Sequence, residues 1–147
     1  MEPLVNERIL LGKDLVVFYE AVQEFRVAVS PDGTVIGCGA LHVMWQDLAE
    51  VRTLAVSSQW LGQGVGHALL NHIETDARAL GLERLFCLTF ETAFFSRHGF
   101  EPVEEELVDP AVFAQLSLSP DEGVAEFLDL SRVKPNTLGN TRMLKHL

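Results

Sequence analysis

The hydrophobic pattern predicts one α/β (α+β) domain built on a mixed, mostly antiparallel sheet, and three stretches carry that expectation. Glu24 to Val29 and Thr34 to Trp45 read as strands on either side of Ser30-Pro31-Asp32-Gly33, a turn sequence, so they form a hairpin. Ala49 to Val56 reads as a strand that passes through a glycine loop, Leu61 to Gly66, into a helix from His67 to Leu80. Arg84 to Phe90 holds a nearly continuous apolar run, Leu85 to Phe90, the mark of a strand covered on both faces.

Taken in order, Val5, Ile9 and Leu10 have partial helical spacing and suit the tail of a helix. Asp14 is an N-cap for a helix to about Gln23, with Leu15, Val16, Phe18, Tyr19 and Val22 as its apolar face. After the hairpin, Gln46-Asp47-Leu48 turns the chain into the central strand. In the helix that follows the glycines, Val65, Leu69, Ile73, Ala77 and Leu80 recur at near-helical spacing, and Gly81 suits the position just past its end. Beyond Gly99-Phe100 a short strand leads to Asp109-Pro110, a cap and first-turn pair for a helix through about Leu116. Ser119-Pro120-Asp121-Glu122 opens an insertion in which Val124 to Leu130 carries no assignment. Asn140 to Leu147 reads as the closing strand.

A chain of 147 residues with 48% apolar content buries one core, so residues 1–147 are expected to form a single domain. Eleven Lys and Arg against 21 Asp and Glu give a net charge of −10, which disfavours nucleic acid, an anionic membrane or an acidic macromolecule as partner. Cys38 and Cys87 stand in apolar, strand-like runs, as buried small hydrophobes do, and imply an intracellular setting. With no apolar run of about 20 residues and no positively flanked signal segment, a cytoplasmic protein is expected. His67 and His72 miss the i, i+4 spacing of a metal pair, and no zinc set completes them, so no metal is expected.

The glycine loop before a helix is a natural anion site, because glycine lets the main chain come close and the first helical turn offers unpaired N–H groups. A dinucleotide fingerprint would need an acid at a strand end, whereas Glu83 precedes its strand, and the Gly-Lys-Ser/Thr of a Walker loop is absent. Leu61-Gly62-Gln63-Gly64-Val65-Gly66 resembles the Arg/Gln-x-x-Gly-x-Gly/Ala loop of the GCN5-related N-acetyltransferase (GNAT) superfamily, with Leu61 in place of the usual Arg or Gln. Ala93 to Phe100 resembles that family's stretch ending in Gly-Phe, with Phe95 where a tyrosine is common. The resemblance implies a sheet with helices on both faces, whose central strands splay around acetyl-CoA. The diphosphate would sit on residues Leu61, Gly62, Gln63, Gly64, Val65, Gly66 and His67. Acetyl and pantetheine would lie along the backbone of Leu54, Ala55 and Val56, with Phe95 beside the thioester. It also implies a missing first strand, hence a short N-terminus and an open sheet edge that a homodimer would cover.

Acetyl transfer to an amine needs a proton acceptor, a stabilised oxyanion and a proton for the thiolate. Glu50 shares a strand face with Arg52 and Leu54 and matches the glutamate that some family members use as base; otherwise it is a solvated strand-end carboxylate or a partner to Arg52. Phe95 has no proton to give and Tyr19 lies elsewhere in sequence, which leaves water or the departing ammonium proton for the thiolate. His98 either contacts CoA or is a surface turn residue. Gly12-Lys13, Glu50 to Thr53, Thr89 to Thr92 and Lys134 to Arg142 resemble short stand-alone bacterial N-acetylglutamate synthases within the superfamily. That likeness implies a small-molecule amino-acid partner, L-glutamate, held by Lys13, Lys134, Asn140, Thr141 and Arg142, with Arg52 as an added candidate. Two alternatives stand beside it: acetylation of another amino acid or small amine, and a non-catalytic acyl-CoA-binding sensor or partner subunit.

Overall fold

The computed structural model describes residues 15–104, 107–130 and 139–147. The expected helix tail around Val5 to Leu10, the Asp14 cap, Lys13 and Lys134 lie outside these residues. The elements run α1 (Leu15–Glu20), β1 (Phe25–Val29), β2 (Val35–Trp45), β3 (Leu48–Val56), α2 (Val65–Ala79), β4 (Arg84–Thr89), α3 (Thr92–Arg97), β5 (Glu101–Pro102), α4 (Pro110–Leu116), α5 (Glu122–Phe127) and β6 (Thr141–His146). The strands form one sheet in the order β1-β2-β3-β4-β6-β5. By internal contacts the chain divides into two compact units: the described residues up to His42 with Val51–Leu82, and Val43–Glu50 with the described residues from Glu83 on. Among the described residues no helix is long and apolar enough to cross a membrane.

In the first unit β1 and β2 pair antiparallel from Phe25↔Ala40 to Val29↔Val35, with a bulge between Ala28 and Val29. The turn between them closes as its residues dictate: Gly33 takes φ 88°, and the Asp32 carboxylate accepts the Thr34 N–H at 3.1 Å. Of the stripe that its spacing marks, helix α2 buries Leu69, Ile73 and Ala77, with Leu70 beside them, whereas Val65 is half-buried and Leu80, just past its last residue, is exposed. Gly81, at φ 82°, ends it, and the N–H of Leu82 returns to the Ala77 carbonyl at 3.0 Å. Asp76 on the same helix takes a two-pronged bond from Arg26 of β1, at 2.6 and 2.7 Å. The early helix is shorter than its apolar pattern suggests: α1 stops at Glu20 and a 3₁₀ turn, Val22–Glu24, carries the chain into β1.

The second unit is centred on β4. It pairs parallel to β3 over Leu48↔Arg84, Ala49↔Leu85 and Glu50↔Phe86, and antiparallel to β6 over six pairs. The parallel register ends at Glu50 although β3 runs on to Val56 and β4 to Thr89. Asp47 ties the hairpin that opens β3 to the start of β4: its carbonyl accepts the N–H of Glu83 and of Arg84, each at 2.9 Å, and its carboxylate meets the Arg84 guanidinium at 3.2 Å. Asp109 and Pro110 cap α4 as expected, the carboxylate accepting the Val112 N–H at 3.0 Å. The unassigned insertion proves to be a helix. Asp121 caps α5, and Val124, Phe127 and Leu128 join Met44, Leu48, Phe86, Leu116 and Leu144 in one apolar core, with Phe127 edge-on to Phe86 at 5.1 Å. Five of its six residues are buried, so no apolar/polar alternation marked it as a helix.

Candidate active site

In the first unit the chain leaves β3 at Val56, makes a 3₁₀ turn over Ser58–Trp60, and runs through Leu61 to Gly64 into α2, which starts at Val65 rather than His67. Gly62 and Gly64 both hold left-handed backbone, φ 76° and 84°, where side-chain-bearing residues are strained. No atom lies within 4 Å of where a Cβ would stand at either glycine, so the loop faces open space. The first helical bond runs from the Ala68 N–H to the Gly64 carbonyl at 3.0 Å. The N–H groups of Val65, Gly66 and His67 therefore precede the helical ladder, at the positive end of a helix with no acid in its first turn. A diphosphate fits such a turn on backbone groups alone. Leu61 is 64% exposed and adds no donor, and the Gln63 amide is turned to the Gln59 carbonyl at 3.3 Å.

Four residues before Ser57 the central strand contains a bend that the sequence does not announce. Thr53, a β-branched residue, takes φ 57°. Strained backbone of this kind costs about 1–3 kcal/mol and persists only where its surroundings enforce it. Here the Cys38 thiol of β2 lies 3.4 Å from the Thr53 carbonyl and donates to it. The strict alternation that would align Leu54 with Glu50 and Arg52 has this left-handed residue inside it. The end of the Leu54 side chain lies with that of Ile73 of α2 beside Gly39. Leu54, Ala55 and Val56, the residues expected to meet the acetyl and pantetheine groups, follow directly on this bend.

In the second unit Glu50 is buried, 4% exposed, opposite Phe86 in the parallel register. Burial, and after it the charge of Glu50, holds the Cys87 thiol well above its ordinary pKa. Burial also raises Cys38. Both shifts favour the neutral thiol over the nucleophilic thiolate. Phe95 is buried in an aromatic cluster, edge-on to Phe94 at 5.2 Å and to Phe100 at 5.1 Å. The His98 ring lies tilted beside that of Phe94, with 5.2 Å between centres, at the end of α3. Tyr19 is exposed on α1. Among the described residues no three His, Cys, Asp or Glu converge as a metal set.

Of the acceptor candidates, Asn140, Thr141 and Arg142 stand together, half-buried, at the start of β6, and Arg52 is half-buried on β3. Arg142 pairs with Leu88 of β4. Its guanidinium donates to the Phe127 carbonyl and lies 6.0 Å from the centre of the Phe86 ring. Its Nε–H is buried with no partner among the described residues. Burial lowers the Arg142 pKa, against the opposing charge of Asp129, yet an arginine remains protonated at neutral pH. The result is a fixed, partly desolvated cation with a donor unspent, which is what an anionic group binds best.

Comparison with known proteins agrees with this geometry. The profile of the acetyltransferase (GNAT) family matches residues 7–100. An amino-acid acetyltransferase of Mycobacterium tuberculosis is 58% identical over 139 residues, 93% of this chain and 80% of that protein. One from Pseudomonas fluorescens is 39% identical over 118 residues, and the chain spans only 27% of its length. Among solved structures, Rv2747 from M. tuberculosis in complex with CoA and NLQ superposes with a TM-score of 0.93 at 56% identity, covering 99% of this chain and 90% of that one. N-acetylglutamate synthase from Neisseria gonorrhoeae, complexed with coenzyme A and N-acetyl-glutamate, gives a TM-score of 0.75 at 27% identity, with 99% of this chain and 31% of that chain covered.

Proposed function

The chain belongs to the acetyltransferase (GNAT) family, and on that premise we propose that it moves acetyl from acetyl-CoA to the α-amine of an amino acid, L-glutamate, the reaction that opens arginine biosynthesis. The observation that carries the acceptor is Arg142, whose buried Nε–H has no partner among the described residues and suits a substrate carboxylate. The relatives named as amino-acid acetyltransferases, and the N-acetylglutamate synthase complex, support the same reading.

Acetyl-CoA supplies an activated thioester carbonyl. The chain's part begins with the turn from Gly62 to His67, which holds the diphosphate on backbone N–H groups. The N–H groups that follow the Thr53 bend meet the negative charge that builds on the carbonyl oxygen. Glu50, directly or through a water, takes a proton from the substrate ammonium, since only the neutral amine attacks. The new bond is N–C and the broken one C–S. With Phe95 unable to donate, the thiolate takes its proton from water or from the amine as it becomes an amide.

The deciding experiment follows free-thiol release from acetyl-CoA with the twenty amino acids supplied singly. Release that depends on glutamate sustains the proposal, and release with a different amino acid moves the acceptor. CoA binding with no release to any amine replaces the enzyme reading with that of an acyl-CoA-binding partner subunit.

A further inference from the structure

We infer that Gly37 of β2 is a positioning residue for the cofactor, setting the distance between the strand that holds the acetyl end and the turn that holds the diphosphate. Gly37 does not hold left-handed backbone, so its conformation alone does not require glycine. A glycine inside a strand weakens it and marks close approach by another group. Here the approaching groups come from both halves of the cofactor site. A Cβ at Gly37 would stand 3.1 Å from the Ala55 carbonyl oxygen on β3, 3.2 Å from Cγ1 of Val65, the first residue of α2, and 3.0 Å from Cδ1 of Leu69. The end of Leu69 can swing away. The other two cannot move as freely: the Ala55 oxygen is backbone, two residues past the Thr53 bend, and Val65 is β-branched and adjoins Gly64.

Gly39, two residues along β2, offers the comparison. A Cβ there would meet Cδ1 of Ile73 at 2.8 Å and Cδ1 of Leu54 at 2.9 Å, both ends of flexible side chains, while the nearest backbone atom, Leu54 Cα, stays at an ordinary 3.9 Å. A methyl at Gly39 thus disturbs packing. A methyl at Gly37 pushes β3 and the first turn of α2 by a few tenths of an ångström, and one covalently continuous ligand would span both.

This inference rests on the cofactor reading of the glycine turn, and the experiment separates the two. CoA affinity is measured by calorimetry well below the melting temperature, where every variant is fully folded and lost stability alone leaves Kd unchanged. Gly37→Ala is expected to weaken CoA about tenfold and to raise KM for acetyl-CoA more than KM for the acceptor, as misplaced binding groups do. Gly39→Ala is expected to lower Tm while leaving CoA Kd near the parent value. Unchanged CoA affinity in Gly37→Ala overturns the inference, as does an equal loss in Gly39→Ala. Should Gly37→Ala not fold, Val65→Ala takes its place: it removes the methyl groups that rest on Gly37, and a CoA Kd equal to the parent's then overturns the inference. Were Gly64→Asp to bind CoA as the parent does, the cofactor reading itself would fall, whatever Gly37→Ala showed.

Discussion

Replacing Arg142 by Met tests the acceptor assignment, because it removes the planar cation that lies over the Phe86 ring and keeps much of the apolar stem. Two free-energy changes follow. The substrate loses a charge-assisted pair in a half-buried setting, worth about 2–5 kcal/mol, so at the low end kcat/KM for glutamate falls about thirtyfold. The protein loses the charge-assisted bond to the Phe127 carbonyl, about 1.5–3 kcal/mol, partly offset because a half-desolvated charge also disappears. For a chain of this size each kcal/mol of net loss lowers Tm by about 2–4 °C. Steady-state kinetics at saturating acetyl-CoA with varied glutamate reads the first effect, and calorimetry with CoA checks that cofactor binding is intact. Arg142→Lys restores the charge without the fork and should recover only part of the loss. Parent-like kcat/KM for glutamate in Arg142→Met would refute the reasoning, leaving Arg142 a structural anchor of α5.

Three further outcomes follow from the same geometry. Gly64→Asp places a carboxylate at the diphosphate turn and forces a side chain into φ 84°, so acetyl-CoA affinity should drop by at least about tenfold; calorimetry on the folded variant checks this. Glu50→Gln keeps shape and polarity but cannot accept a proton, and turnover should fall by roughly 10²–10⁴ with CoA affinity little changed; normal turnover across the pH range would make Glu50 structural. The hydrogen bonds from Arg26, more than its charge, hold the Asp76 carboxyl below its usual range. A depressed pKa stabilises the fold above the unfolded value of about 3.9, and that contribution is lost as pH falls through the folded value. Tm of the parent should therefore fall toward that of Asp76→Asn below about pH 4, and a gap that persists in acid would show the pair contributes nothing through ionisation.

Much of this protein was legible as local pattern. The hairpin about Pro31-Asp32-Gly33, the glycine turn before α2, the stripe Leu69-Ile73-Ala77 and the Asp109-Pro110 cap each follow from a few adjacent residues, because turns, caps and amphipathic periodicity are set by neighbours in the chain. So did the family, since the glycine turn is a local motif. Three things belonged to the tertiary structure. Helix α5 is buried on nearly every side, and an element without a solvent face leaves no periodicity to read. The bend at Thr53 is carried by a residue that favours strands, so only the surroundings, with the Cys38 thiol at its carbonyl, hold it in left-handed backbone. Arg142 appeared in the sequence as one cation among eleven Lys and Arg, and what sets it apart is burial against Phe86 and Phe127 with one N–H unspent. A side chain's desolvation and its unmet hydrogen bonds depend on residues far away in the chain, which is why composition and spacing name candidates without telling them apart, whereas folded contacts give each its own surroundings.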